Sequence, residues 1–147
     1  MTFYGISTRP LINTLNCQTT QVHQVWLADD ATGAGTLTNL KKWWKILTEE
    51  GLKYGYIVKP SKSWLILKDE QKLQETEAMF ADTPIKITTE GKRHLGAAIG
   101  TAEYKNSYIE EKVQDWCRRL KKLAKIAKTQ PHAAYSSYIM GEQHKYT

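Results

Sequence analysis

Cysteine is scarce in this chain. Cys17 and Cys117 are far apart, with no CxxC and no histidine pair beside either, which excludes a zinc-finger arrangement and a disulfide framework. Both are expected to be ordinary buried thiols. No apolar run approaches the ~20 residues that span a bilayer, and the N-terminus lacks the charged-then-apolar pattern of a signal peptide. No membrane partner is expected, and the expected location is intracellular, in cytoplasm or nucleus. Internal repeats, linkers and low-complexity tracts are missing too. Acidic residues are absent from positions 1–28, although they occur in adjacent pairs at 29–30, 49–50, 69–70 and 110–111.

What is present is ordinary for a folded chain: 147 residues, 41% hydrophobic and 24% charged. The net charge of +6, from 21 Lys+Arg against 15 Asp+Glu, favours a polyanionic partner. The bases concentrate at 41–45 and 118–128, and the second cluster is the stronger footprint.

Patterning predicts an α+β chain. Residues 1–16 read as the tail of a helix. Gln21 to Ala28 read as a strand with Val22, Gln24 and Trp26 on one face, and the acidic pair caps it. Thr36 or Thr38 then opens a helix to about Glu50, with Leu37, Leu40, Trp44 and Leu47 at helical spacing and Gly51 as the stop. The runs 54–58 and 64–67 flank Lys59-Pro60-Ser61-Lys62 and read as a hairpin. A short helix starts at Asp69 and runs through Leu73, Met79 and Phe80. Ile85 to Thr88 and His94 to Ile99 read as a second hairpin turning at Thr89-Glu90-Gly91-Lys92. A long helix resumes near Tyr104 with Ile109, Val113, Trp116, Leu120, Leu123 and Ala127 as its apolar stripe, ending at Gln130-Pro131.

The dipeptide Asp29-Asp30 ends the run Val25-Trp26-Leu27-Ala28 and precedes Ala31-Thr32-Gly33-Ala34-Gly35. Neighbouring carboxylates repel unless a cation or solvent relieves them, and such oxygen ligands suit Mg²⁺. A solvated acidic turn is the alternative. Arg118, Lys121, Lys122 and Lys125, at spacings of three and four, make a cationic ridge that is either a solvated helix face or a track for phosphates. Lys41, Lys42 and Lys45 around Trp43-Trp44 suggest a base-stacking site, but Trp44 shares the leucine face and is expected in the core.

In order, a strand ending Leu27-Ala28-Asp29-Asp30, a helix stopping at Gly51, a Pro-Ser-Lys-Ser turn, a Leu-Gly strand and a basic helix resemble a reverse transcriptase across nearly the whole chain. Trp43-Trp44, Lys62-Ser63-Trp64-Leu65, Arg93-His94-Leu95-Gly96-Ala97-Ala98 and Thr129-Gln130-Pro131-His132-Ala133-Ala134-Tyr135 most resemble the polymerases of DIRS-like tyrosine-recombinase retrotransposons.

The resemblance implies that Asp29 and Asp30 bind Mg²⁺ or Mn²⁺ for two-metal nucleotidyl transfer, Asp29 as direct ligand and Asp30 as the second. It implies that Lys62 lies near the triphosphate of the dNTP as a catalytic cation, with Lys59 as the alternative amine; a solvated turn is the other reading of both. It implies that Leu95 and Gly96 lie in the primer-grip hairpin, where glycine permits close approach of a backbone; packing alone is the other reading of Gly96. Arg118, Lys121, Lys122 and Lys125 would follow the template–primer duplex as part of a thumb.

Two parts of a complete reverse transcriptase have no counterpart in the sequence: an aspartate on an earlier palm strand, and a Gly-rich segment with glutamine that helps place the nucleotide. The expectation is therefore the C-terminal part of a palm at 1–102, a small antiparallel sheet with packed helices, then a partial helical thumb at 103–147. Such a chain is catalytically incomplete without an upstream polymerase half. A non-catalytic nucleic-acid-binding module and a retroelement relic are the alternatives.

Overall fold

Thr8, Leu11 and Leu15 recur at helical spacing and are all buried, which sets the inner face of the first helix, α1 (Thr2–Gln18). In the computed structural model, which describes residues 2–142, α1 leads into an antiparallel hairpin of β1 (His23–Leu27) and β2 (Asp30–Ala34), then α2 (Leu37–Gly51). Single 3₁₀ turns at Leu52–Tyr54 and Pro60–Lys62 precede β3 (Trp64–Ile66). A 3₁₀ turn at Glu70–Lys72 continues into α3 (Leu73–Met79), followed by β4 (Lys86–Thr88). The hairpin of β5 (Gly91–His94) and β6 (Ala97–Gly100), the long helix α4 (Ala102–Ala127), α5 (Pro131–Ser137) and a π-helical turn (Tyr138–Glu142) complete the order. The class is α+β, and the contacts divide the chain into two units, Met1–Thr89 and Glu90–Thr147. No helix among the described residues is long and apolar enough to cross a membrane.

The first unit has a core of Leu11, Leu15, Val22, Trp43, Ile46 and Leu47. Leu11 and Leu15 are fully buried, each worth ~1.5–3 kcal/mol relative to exposure. Gln24 organises the polar part of this interface: its side-chain oxygen accepts from Trp26 Nε1 at 3.0 Å and Trp43 Nε1 at 3.2 Å, and its amide donates to Asn16 Oδ1 at 2.6 Å. Trp43, not Trp44, is the core tryptophan; Trp44 is half-buried. Both register with Leu40 and Leu47 at helical spacing, and the indole hydrogen bond to Gln24 belongs to Trp43.

The small-residue segment 31–35, to which the sequence pattern assigns no strand, supplies most of β2 (Asp30–Ala34). Its small residues permit close packing: a Cβ on Gly33 would lie 3.3 Å from Val22 and 3.4 Å from Trp43. Both expected later hairpins also pair differently. Residues 54–58 form no strand, and β3 pairs in parallel with β4, Leu65 opposite Ile87. The Asp69-capped helical segment between them carries the chain back to the same end of the strand, as a parallel pair requires.

In the second unit the turn falls at Leu95-Gly96, with His94 opposite Ala97. Gly91, expected in the turn, instead faces Gly100 at the hairpin base, where a Cβ on Gly100 would lie 2.2 Å from the Glu90 carbonyl oxygen and 2.4 Å from Gly91 Cα. Helix α4 begins at Thr101, whose hydroxyl accepts from Tyr104 N at 3.2 Å. None of its residues is buried, and Ile109 and Val113 of the apolar stripe are 57% and 44% exposed. Pro131 starts α5 at its first helical turn, where its missing N–H costs nothing. Cys17 and Cys117, expected to be buried, are both exposed.

Candidate functional site

Leu27 pairs with Asp30, so the β1–β2 connection is the two-residue turn Ala28-Asp29 and Asp30 is the first residue of β2. Ala28 has φ 54° and is one of two non-glycine residues in the left-handed region among the described residues, the other being Leu95. A positive φ at the first central residue matches the sign pattern of a type II′ turn, a position that prefers glycine. Strain of this kind, ~1–3 kcal/mol, persists where surrounding structure fixes it. Tyr56 does so here: its hydroxyl donates to the Asp29 carbonyl at 3.0 Å, and its ring stands edge-on to Trp26 at 5.2 Å. The turn backbone is tied to the core, and both aspartates are exposed at the tip.

Among the described residues, neither carboxylate accepts a hydrogen bond or an ion pair. Carboxylate oxygens are hard donors of the kind that Mg²⁺ and Mn²⁺ take. No group of three His, Cys, Asp or Glu side chains among the described residues could hold a metal by itself.

Lys62 closes the 3₁₀ turn Pro60–Lys62; its amide donates to the Lys59 carbonyl at 3.0 Å, and Lys86 N donates to Ser63 O at 3.1 Å, joining this turn to β4. Lys59 and Lys62 are both exposed and have no acidic partner among the described residues. They share a unit with the acidic pair but stand on a separate element, and no hydrogen bond or ion pair among the described residues joins them to it.

Leu95 and Gly96, expected within a strand, are the turn itself, with φ 50° and 87°. Two consecutive positive φ values define the type I′ pattern that suits a two-residue hairpin. A Cβ on Gly96 would meet nothing within 4 Å, so glycine serves the backbone conformation here, not close approach. Tyr108 Oη donates to Gly96 O at 2.8 Å and fastens the tip to α4.

Arg118, Lys121, Lys122 and Lys125 share an exposed face of α4 and line one shallow groove with Gln114 and Cys117. They are not equivalent. Asp115 Oδ1 accepts from Arg118, and its Oδ2 pairs with Arg119 at 2.7 Å. The hydrogen bond from Arg118, reinforced by Arg119, holds the Asp115 carboxyl below the usual carboxylate range. Lys121, Lys122 and Lys125 have no acidic partner among the described residues. The ridge therefore offers three unpaired ammonium groups and one guanidinium already in use, where the sequence spacing suggested four equal cations. Asp115 stands three residues before Arg118 and four before Arg119, a spacing that marks it in the sequence as the partner of both.

In the other basic cluster Lys41 and Lys45 have acidic partners, whereas Lys42 is exposed and has none among the described residues. Lys41 pairs with Asp82 and lies 5.0 Å over the Phe80 ring, holding Asp82 below its ordinary pKa, and Lys45 is 3.9 Å from Glu49. Tyr56 and Tyr108, the two hydroxyls that fix the hairpin tips, were not singled out by sequence, because a tyrosine's long-range partner leaves no local pattern. No protein-family model, curated protein or solved structure matches this chain.

Proposed function

We propose that this chain is the palm-and-thumb part of a reverse transcriptase resembling those of DIRS-like retrotransposons, with Asp29 and Asp30 as metal-binding carboxylates of RNA-directed DNA synthesis. The observation that carries the reading is the pair's placement: two carboxylates without a partner among the described residues, exposed at the tip of a hairpin whose backbone is fixed by Tyr56. A divalent ion held there supplies charge neutralisation at the transferred phosphoryl group and a more acidic primer hydroxyl. Asp29 and Asp30 contribute the negative oxygens; Lys62, or Lys59 in its place, contributes a cation for the triphosphate from the Pro60–Lys62 turn. The β5–β6 tip and the lysines of α4 contribute primer support and phosphate contacts within the second unit.

Two carboxylates without a third make the isolated chain a partial catalyst. Primer extension on poly-rA/oligo-dT with Mg²⁺ or Mn²⁺ should give no dTTP incorporation by the chain alone. Incorporation should appear when an upstream half bearing the third aspartate is supplied, and Asp29→Asn should abolish it by on the order of a thousandfold or more. Activity retained in Asp29→Asn removes the metal assignment. The unpaired lysines also favour a reading as a non-catalytic nucleic-acid-binding module, which predicts duplex binding that the supplied half does not convert into synthesis.

A further inference from the structure

The second unit carries another surface with nucleic-acid chemistry, on a different face of α4 from the lysines. Between the β5–β6 tip and the helix lies an open groove of about 380 Å³ lined by Tyr108 and Trp116 together with Arg93, Lys112 and Arg119. Its single acid, Asp115, is already bound by Arg118 and Arg119. Arg93 is exposed, and neither it nor Lys112 has an acidic partner among the described residues. The Lys112 ammonium lies 5.6 Å from the Tyr108 ring centroid, so an aromatic face rather than a carboxylate holds it at the groove. The bond from Tyr108 Oη to Gly96 O spans the groove's two walls, so the site is formed before any ligand arrives.

We infer that this groove binds single-stranded nucleic acid, a base stacking on Trp116 while Arg93 and Lys112 take the flanking phosphates. Aromatic side chains interleaved with unpaired cations are the chemistry of single-strand binding, because every base offers a π face and the backbone supplies the charge. Its volume lies within the ~300–1,000 Å³ of small-ligand sites, enough for a nucleoside, and its open sides let a strand continue. An acidic peptide would satisfy the cations but gain little from an indole. The inference extends the nucleic-acid reading of the α4 lysines and rests on it for the class of ligand.

The test is fluorescence anisotropy of the full chain with labelled oligo-dT and, separately, a labelled blunt duplex over a salt series. Arg93→Gln with Lys112→Gln should weaken oligo-dT binding and reduce the magnitude of its log K against log salt slope by about 1.4, at about 0.7 per single-strand phosphate. Trp116→Leu should weaken oligo-dT about tenfold while leaving the slope in place. Lys121→Gln, Lys122→Gln and Lys125→Gln together should weaken the duplex and spare oligo-dT. Should Trp116→Leu fail to fold by circular dichroism, the Arg93/Lys112 double variant decides alone. Unchanged oligo-dT binding in that double variant overturns the inference, as does equal weakening of duplex and single strand. Competition by poly-glutamate as effective as by unlabelled oligo-dT would also overturn it, by showing a site indifferent to bases. A duplex unaffected by the triple lysine change removes the ridge but leaves the groove's own result standing.

Discussion

Replacing Asp115 with Asn should make the chain bind duplex nucleic acid more tightly, a gain from deleting a contact. The carboxylate engages two guanidinium groups at once, from Arg118 and Arg119. Asn keeps the size, loses the charge and releases both. Counterion release makes log K fall against log salt by about 0.9 per phosphate neutralised, so the freed Arg118, the one of the two that shares the lysine face, should steepen the slope by up to about 0.9. Over the same salt range, removing Lys121, Lys122 and Lys125 should flatten it by up to about 2.7. The assay is anisotropy with a labelled duplex between ~50 and ~200 mM salt, the range over which such contacts lose most affinity. A slope unchanged or shallower in Asp115→Asn would refute the idea that Asp115 withholds Arg118 from the ridge. Acid should mimic the substitution. The folded-state pKa of Asp115 is depressed, so the ion pair's contribution to stability is present above the unfolded carboxylate value of ~3.9 and is lost as pH falls through the folded one. The difference in melting temperature between the wild type and Asp115→Asn should therefore hold constant near neutrality and close only in that acidic range.

Ala28→Gly should raise the melting temperature. The left-handed conformation costs an L-residue ~1–2 kcal/mol, and the extra chain entropy of glycine returns only ~0.5–1 kcal/mol of that. A fall in melting temperature would show that Ala28 is not strained. Gly100→Ala should destabilise the β5–β6 hairpin, because its Cβ would overlap the Glu90 carbonyl oxygen at 2.2 Å; hydrogen exchange of residues 91–100 should accelerate, and unchanged protection would refute the close Gly91–Gly100 pairing.

Local chemistry wrote much of this fold legibly into the sequence, and long-range pairing did not. Alternation from Val22 to Leu27 located β1, and Asp69 announced the helical segment it caps through Gln71 N. The apolar stripe placed the start of α4 near Tyr104, two residues after its observed start at Ala102 behind the Thr101 cap. The β5–β6 hairpin departs from the expected register because glycine has two meanings there. Thr89-Glu90-Gly91-Lys92 has turn composition, yet Gly91 is there because Gly100 faces it, and that requirement is visible only once the strands are paired. Leu95-Gly96 lacks the Asn or Asp that marks a type I′ turn, so its sharp reversal had no local signature. The same limit applies to candidate site residues. Asp29-Asp30 stands out in one dimension, whereas Tyr56 and the strain at Ala28, which fix the pair at a hairpin tip, emerge only from contacts across the fold.

The central claim is that Asp29 and Asp30 form the metal-binding part of a polymerase centre, and substoichiometric Mn²⁺ added to the ¹⁵N-labelled chain tests it most directly. Paramagnetic broadening should centre on the amides of residues 28–31 and vanish in Asp29→Asn, with less loss in Asp30→Asn because water can replace a second ligand. Broadening spread evenly over the acidic pairs at 49–50, 69–70 and 110–111, or none at the hairpin tip, would contradict the account.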